Sequence, residues 1–320
     1  MQPHIKHDLK NGIGTIYLNR PHAFNALNLP MIQELHKILK NWELDENVKE
    51  VLIKAHGEKA FCAGGDIKQV FLAKKEGNLQ EAGSLYFQTE YELNYRVAVY
   101  KKPLTVMAHG YCLGGGMGLF QYASSRLVDK SVKLGMPEGS IGFFTDVGAS
   151  YFLPKLPGNL GLFVALTGYM VDYEDAFFCG FSTHETGTKG YLKTHQEEID
   201  KLFSFDTVDE IIRVLAKSNH PKAHKWLSQM KKQSPLSLKV IDRYLRLSKL
   251  WDLKTCLQQD FILAQNMIHL PDFEEGVRAQ VVDKDKNPKW MHKNTDEISE
   301  DFLDSLFKAP TSTVLNLDEL

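Results

Sequence analysis

Short apolar runs separated by amphipathic stretches divide the first half of the chain. The runs are Ile13–Asn19, Val51–Ala55, Leu104–Ala108 and Lys133–Met136. Each is rich in branched or bulky apolar residues and ends at polar residues or glycine, which predicts a strand. Between the first two runs, apolar residues recur at helical spacing from Met31 to Trp42, behind Asn28. This spacing predicts a helix with one buried face and Asn28 as its cap.

The second half of the chain has a different pattern, with helical spacing beyond about residue 205. Thr207 begins a capping box, Ser234 precedes a proline, and a further helix is predicted over Leu253–Ile268. Strands that alternate with helices in the first half indicate an α/β fold. We therefore predict a catalytic core over residues 1–200 and a helical region over residues 201–320 that covers or flanks the active site.

The composition excludes several classes of protein. With 320 residues, of which 43% are hydrophobic and 24% charged, the chain can bury a core without disulfides or metals. A formal net charge of -2 gives no general attraction to nucleic acid or to an anionic membrane. The four cysteines form no CxxC pair, and neither a signal segment nor a membrane-spanning apolar run is visible. We therefore expect a cytoplasmic protein with free thiols.

Two glycine loops are the first candidates for chemistry. Leu104–Ala108 is followed by Gly114–Gly116 and by a helix predicted over Met117–Ala123, so that free N–H groups of the first helical turn face outward. A similar loop, Phe61–Ile67, follows another strand. Two such loops can each direct one backbone N–H at a common point, which forms an oxyanion hole. Taken alone, the glycine run Gly114–Gly116 is equally well explained by close packing of a helix on a sheet.

Two acids follow the second glycine loop. Glu138 comes directly after a proline, and Asp146 lies eight residues later between glycines. A surface turn explains Glu138 taken alone, and a cap for the next helix explains Asp146 taken alone. Together with two glycine loops, however, a pair of carboxyl groups is the equipment for acyl or enolate chemistry.

Several motifs, in this order, resemble the crotonase (enoyl-CoA hydratase/isomerase) superfamily. They are Leu18–Pro21 with Asn25–Asn28, Phe61–Asp66, and His109–Gly110 before the glycine run. The resemblance covers Ile13 to about His184, with a weaker echo at Asp285–Trp290. It implies a crotonase-like spiral of ββα units with a helical C-terminal region. It also implies an acyl-CoA substrate, without a metal or redox cofactor, since coenzyme A is part of the substrate.

One position departs from the typical hydratases of that superfamily, which carry a glutamate where this chain has Gly118. Other segments resemble the 3-hydroxyisobutyryl-CoA hydrolase subgroup. These are Phe87–Asn94, Met136–Gly142, Asp146–Gly148, Tyr151–Pro154 and Leu166–Gly168. The likeness implies hydrolysis of a short branched 3-hydroxyacyl-CoA in valine catabolism. The substrate-binding and catalytic positions that it implies are Glu90, Gly115, Glu138 and Asp146.

The resemblance also implies roles at the reacting thioester. Its oxygen would lie against the amides of Gly65 and Gly115, which stabilise the developing negative charge. Glu138 would either attack the carbonyl or activate a water, and the sequence leaves both open. Asp146 would position the water or the acyl 3-hydroxyl and pass a proton to the leaving thiolate.

Further residues are candidates for binding the coenzyme A part of the substrate. By resemblance, the adenine would be framed by backbone contacts of Ala63, Asp66 and Ile67. The lysines that could meet its phosphates are Lys284, Lys286 and Lys289. A solvated charged face explains these lysines equally well.

Two alternatives to a hydrolase remain open. The first is a hydratase or isomerase of the same fold, in which an isomerase would use Glu138 alone. The second is a non-catalytic acyl-CoA-binding protein, which would be favoured if Glu138 and Asp146 did not converge on the thioester. His220 and His224 have metal-ligand spacing but no acidic third ligand, so we expect no metal site. Association into a homo-oligomer stays open, because no local pattern decides it.

Overall fold

A computed structural model describes residues 3–310 and 314–318. The strands are β1 (Ile5–Lys10), β2 (Ile13–Leu18), β3 (Glu50–Ala55), β4 (Ala60–Cys62), β5 (Leu104–Ala108), β6 (Tyr111–Leu113), β7 (Ser125–Val128), β8 (Lys133–Gly135) and β9 (Val171–Asp172). The helices are α1 (Leu29–Leu44), α2 (Ile67–Lys75), α3 (Leu79–Ala98), α4 (Gly115–Phe120), α5 (Ala149–Phe152), α6 (Leu160–Thr167), α7 (Tyr173–Ala176), α8 (Tyr191–Thr194), α9 (Gln196–Leu202), α10 (Val208–Lys217), α11 (Ala223–Met230), α12 (Pro235–Leu247), α13 (Leu253–Met267), α14 (Pro271–Val277) and α15 (Glu300–Leu306).

The chain passes back and forth between two sheets. Their strand orders are β1-β2-β3-β5-β7 and β4-β6-β8-β9. Apart from the antiparallel pairs β1–β2 and β8–β9, neighbouring strands in the described residues run parallel. Each of β3, β5 and β7 in the first sheet is followed directly by β4, β6 or β8 in the second. This repeated exchange confirms the expected spiral of ββα units.

The predicted elements are confirmed to within a few residues at their ends, but several observed elements, among them β1, β4, β6, β7 and α2, were not predicted. The helix predicted over Met117–Ala123 begins earlier, at Gly115, because Gly114 with φ +47° already makes the turn into it. The 20-residue helix α3 was not predicted from apolar spacing. Its buried face includes Glu90 and Asn94, and these polar residues interrupt the apolar stripe by which a helix is recognised.

The helical second half packs on the first half without a break in the hydrophobic core. Helix α13 lies against α3, and α14 lies against the short 3-10 turn Glu138–Ile141. The boundary between residues 1–200 and 201–320 stays a prediction. All four cysteines are buried and free, as expected. Among the described residues, no helix combines the length and apolarity that crossing a membrane requires.

The start of α1 shows how one polar side chain anchors a core helix. The Oδ1 atom of Asn28 accepts a hydrogen bond from the Met31 N–H at 3.0 Å, which confirms the predicted cap. Asn28 is 4% exposed, so its amide groups depend on protein partners. The buried face of α1 consists of Met31, Ile32, Leu35, Ile38, Leu39 and Trp42.

We expect Asn28→Ala to lower the free energy of unfolding by about 1–2 kcal/mol, because it removes a buried cap. Asn78→Ala is the matched control, since Asn78 also precedes a helix but is exposed and makes no side-chain cap. Urea unfolding followed by circular dichroism measures both changes. Equal losses in the two variants would contradict the role given to the Asn28 cap.

Candidate active site

The candidate site lies where three neighbouring strands of the second sheet end. β4, β6 and β8 are adjacent and parallel, so their C-terminal ends meet at one edge. The loop Ala63–Asp66 follows β4, Gly114 and Gly115 follow β6, and Glu138 comes shortly after β8. The sheet therefore brings the two glycine loops and the first acid together, although they are far apart in sequence.

These loops line a cavity of about 630 Å³. All eight residues predicted for the site lie on its wall: Ala63, Gly65, Asp66, Ile67, Glu90, Gly115, Glu138 and Asp146. α3 contributes Glu90, and the segment before α5 contributes Asp146. The structure thus brings every predicted site residue to one place, while the role of each stays a prediction.

Two backbone amides without an acceptor among the described residues lie next to each other on the cavity wall. Gly115 is the first residue of α4, so its N–H has no acceptor within the helix. The Gly65 N–H donates to no described residue. A side-chain carbon on Gly115 would lie 3.3 Å from the Gly65 nitrogen and 2.2 Å from Glu90 Oε1. Only glycine therefore leaves room at this point for an oxygen that accepts from both amides.

The three acids of the site are buried: Glu90 is 2% exposed, Glu138 8% and Asp146 5%. Glu138 is therefore not a surface turn acid. Asp146 is not a side-chain cap for α5, whose first turn has none. Its Oδ2 atom instead accepts a hydrogen bond from the Tyr91 hydroxyl at 2.8 Å. A surface turn for Glu138 and a helix cap for Asp146, the two alternatives to a functional role, are therefore both wrong.

Burial dominates the electrostatics of the three acids. It raises the pKa of Glu90 and of Glu138 well above the usual range, and the neighbouring charge of Asp146 raises both further. Burial also raises the pKa of Asp146, but only to about 7, because the Tyr91 hydroxyl stabilises its carboxylate. The Tyr91 hydroxyl therefore favours the ionised form of Asp146, whereas burial favours the neutral forms of Glu90 and Glu138.

Two carboxyl oxygens are available to a ligand. Glu90 Oε1 and Glu138 Oε2 are buried and have no hydrogen-bond partner in the described structure. A buried polar atom without a partner carries a desolvation cost that a bound ligand or water relieves. The site thus offers two free amide donors and two unpartnered carboxyl atoms within one cavity.

Gly118 marks the position at which typical hydratases carry a second glutamate. A side-chain carbon there would lie 2.6 Å from Asn94 Nδ2 and 3.0 Å from Val147 Cβ. α3 and the segment after Asp146 therefore fill the space that such a glutamate would need. The departure in sequence is matched by a departure in packing.

The outer part of the cavity carries basic side chains. Arg20 Nη1 binds Asp66 Oδ2 at 2.7 Å, so Asp66 uses its carboxylate to hold a loop. Lys68 and Lys284 line the cavity and are exposed, which places them at its mouth. Lys286 and Lys289 do not line it, so only Lys284 of the three candidate lysines is in place to meet a phosphate there.

Sequence reasoning missed three residues that shape the site. Tyr91 donates to Asp146, Arg20 positions Asp66, and the Tyr86 hydroxyl donates to the Leu27 carbonyl at 2.8 Å beneath Gly65. The sequence gives no signal for these contacts, because each partner is at least 46 residues away. Within residues 3–310 and 314–318, no cluster of three His, Cys, Asp or Glu side chains is arranged for a metal.

The chain is similar to known proteins in family, in sequence and in structure. Residues 13–190 and 183–307 match the family model described as enoyl-CoA hydratase/isomerase. The mitochondrial 3-hydroxyisobutyryl-CoA hydrolase of Danio rerio is 36% identical over 92% of this chain and 87% of its own length. The protein of the same name from Homo sapiens is 35% identical over 96% of this chain and 89% of its own length.

Two solved structures share the fold over nearly the whole chain. An enoyl-CoA hydratase from Rhodobacter sphaeroides 2.4.1 superposes with a TM-score of 0.91 at 31% identity, over 96% of this chain and 98% of its own. A carnitinyl-CoA dehydratase from Mycobacterium thermoresistibile superposes with a TM-score of 0.93 at 30% identity, over 99% of both chains.

The raised pKa of Asp146 makes stability depend on pH. Between about pH 4 and pH 7 the folded protein holds a proton on Asp146 that the unfolded chain has lost, so stability falls as the pH rises through this window. Asp146→Asn removes that loss and keeps an acceptor for Tyr91. We expect the variant to be more stable than the wild type at pH 8, by on the order of 1–3 kcal/mol.

Urea unfolding at pH 5 and at pH 8 measures this difference, which should shrink at the lower pH. The matched control is Asp206→Asn, because Asp206 is an exposed acid without hydrogen bonds to its side chain in the described structure. A stability gain that is the same at both pH values would contradict the burial of an ionising Asp146.

Proposed function

This chain belongs to the enoyl-CoA hydratase/isomerase family, and we propose that it is an acyl-CoA thioester hydrolase. Its proposed substrate is 3-hydroxyisobutyryl-CoA, which it hydrolyses to 3-hydroxyisobutyrate and coenzyme A in valine catabolism. One observation carries the proposal above all: two free amides and the buried acids Glu138 and Asp146 line the same cavity. The relatives named 3-hydroxyisobutyryl-CoA hydrolase, similar over nearly the full chain, support the substrate.

The thioester is placed by its carbonyl oxygen. In the proposed complex this oxygen accepts hydrogen bonds from the Gly65 and Gly115 amides. The two donors then stabilise the negative charge that develops when the carbonyl carbon is attacked. Glu90, whose free carboxyl oxygen lies beside Gly115, contacts the bound acyl group.

In the proposed mechanism the proton moves between the two acids. Asp146, whose carboxylate the Tyr91 hydroxyl stabilises, is the proton acceptor of the pair, and Glu138 becomes reactive when its proton leaves. The described structure has no direct hydrogen bond between the two carboxyl groups, so a water or the substrate completes the path. Protonated Asp146 then supplies the proton for the departing thiolate. Overall, water adds, the C–S bond breaks, and an acid and a thiol are released.

Glu138 can act in two ways within this scheme. As a nucleophile it forms a mixed anhydride, which water then opens; as a general base it activates water directly. Single-turnover hydrolysis in H₂¹⁸O tests the anhydride. Label that enters the Glu138 carboxyl group identifies the anhydride, whereas label found only in the product acid is expected both from direct attack by water and from an anhydride that water opens at its acyl carbonyl.

The second candidate is a hydratase, because the two similar solved structures are named as a hydratase and a dehydratase. Water addition to a double bond in this family uses two carboxylates, and the position of one is Gly118 here. Asn94 and Val147 occupy the space of the missing side chain. A binding protein without activity is the third candidate, and the convergence of Glu138 and Asp146 on one cavity speaks against it.

Three further points belong to the proposal. The carboxyl groups and amides supply the chemistry without a metal or redox cofactor, so dialysis against EDTA should leave the rate unchanged.

A cytoplasmic location remains our proposal, although the names of the animal relatives contain the word mitochondrial, and cell fractionation tests it. Sedimentation velocity determines whether the copies associate.

We expect the purified protein to release free thiol from 3-hydroxyisobutyryl-CoA, and Glu138→Gln to reduce kcat by at least about 10³-fold, because the reacting carboxyl group is lost. Crotonyl-CoA, followed by its double-bond absorbance, is the control substrate. Hydration of crotonyl-CoA without thiol release from the hydroxyacyl thioester would overturn the hydrolase in favour of the hydratase. Binding of coenzyme A without either reaction would favour the binding protein.

Gly115→Ala tests the paired amides. The added carbon would lie 3.3 Å from the Gly65 nitrogen and 2.2 Å from Glu90 Oε1, so it crowds the space between the two amides and Glu90. We expect kcat to fall by about 10²–10³-fold, the cost of losing such a donor. Gly135→Ala is the control, because its added carbon meets nothing closer than 3.4 Å. A normal rate in Gly115→Ala would contradict the proposal that the Gly65 and Gly115 amides stabilise the thioester oxygen.

A further inference from the structure

The turn that carries Asp146 is strained. Val147, which follows directly, is buried and has φ +51°, a region that β-branched residues rarely adopt. Gly148 follows with φ +73°. Such a conformation persists only where surrounding contacts hold it, and it is found preferentially at functional sites. The question is therefore what holds this turn.

A buried acid from the second half of the chain holds it. Asp260 on α13 is fully buried, and its Oδ2 atom accepts the Gly148 N–H at 2.6 Å. Its Oδ1 atom accepts the Tyr244 hydroxyl at 2.6 Å. On the other side of the turn, the Tyr122 hydroxyl donates to the Val147 carbonyl at 2.8 Å. The single peptide group between Val147 and Gly148 is thus fixed at both its carbonyl and its N–H.

The contact between Asp260 and Gly148 survives a change of protonation. Burial raises the pKa of Asp260 well above the usual range, and Asp146 raises it further, while the Tyr244 and Gly148 donors lower it. When Asp260 is neutral, its proton can lie on Oδ1 and be donated to Tyr244. Tyr244 then donates to the Cys256 carbonyl, which lies 2.7 Å away. Oδ2 keeps the Gly148 N–H in either state.

We propose that Asp260 is a positioning residue, which holds the strained turn at Val147 so that the carboxyl group of Asp146 faces the reacting thioester. The inference rests on the proposed function, in which Asp146 accepts a proton from Glu138 and donates one to the leaving thiolate. Asp260 touches no substrate in this scheme. It acts 112 residues away in sequence, through one backbone N–H of the turn.

Asp260→Ala frees the Gly148 N–H and lets Val147 relax. We expect kcat for 3-hydroxyisobutyryl-CoA to fall at least tenfold while KM stays within twofold. Asp260→Asn can accept from Gly148 with its oxygen and donate to Tyr244 with its nitrogen, so it should retain kcat within about threefold. Tyr122→Phe removes only the second hold and should lower kcat severalfold, so it also serves as the test if Asp260→Ala fails to fold.

The strain itself is tested by Val147→Gly, because glycine adopts a positive φ without penalty. Asp260→Ala should cost less activity in the Val147→Gly background than in the wild type. A merely structural role for Asp260 predicts equal losses in both backgrounds and a parallel fall in melting temperature. Unchanged kcat in folded Asp260→Ala and Tyr122→Phe would overturn the proposal, as would equal losses in both backgrounds.

Hydrogen–deuterium exchange gives a readout that does not need activity. The Gly148 amide should exchange faster in Asp260→Ala than in Asp260→Asn or the wild type. If the wild type hydrolyses no 3-hydroxyisobutyryl-CoA, the proposed function fails, and the exchange rates still decide whether Asp260 holds the turn. Equal exchange rates of the Gly148 amide in all three proteins would contradict the proposal that Asp260 holds the turn through this N–H.

Discussion

The burial of three carboxyl groups without an ion-pair partner is the constraint on which the site depends. None of Glu90, Glu138 and Asp146 forms a salt bridge in the described structure, and burial is the largest cause of each raised pKa. In water all three would be ionised at neutral pH. In the cavity, burial favours the neutral form of each. In the proposed mechanism, this environment receives an uncharged thioester group, and the amides of Gly65 and Gly115 stabilise the negative charge that appears during reaction.

Elements from both halves of the chain contribute to the burial and support of these acids. α3 supplies Glu90 and the Tyr91 hydroxyl, and it closes the space beside Gly118 with Asn94. The second half supports the catalytic turns from behind. The Ser234 N–H donates to the Gly139 carbonyl at 2.9 Å, and Asp260 accepts the Gly148 N–H. Residues of the second half thus support the turns that follow Glu138 and Asp146.

Much of the fold was predictable, because its strands and amphipathic helices carry local signals. The strand β5 and the capped helices α1 and α10 are examples in which apolar spacing and cap residues are sufficient. The helix α3 is the counterexample. It is buried on faces that include Glu90 and Asn94, and polar residues that are satisfied only by tertiary partners erase the apolar period.

The amino-acid sequence was sufficient to identify the candidate groups for the chemistry. Glycine loops after strands and acids at fixed separations are local features, and parallel strands bring their ends to one edge. The tertiary structure alone decided the state of those groups. Burial sets the pKa of Glu138. Contacts between residues distant in sequence provide the hydrogen bond from Tyr91 to Asp146 and keep Val147 at positive φ. A pKa and a strained turn are properties of an environment, and the chain acquires that environment only when it folds.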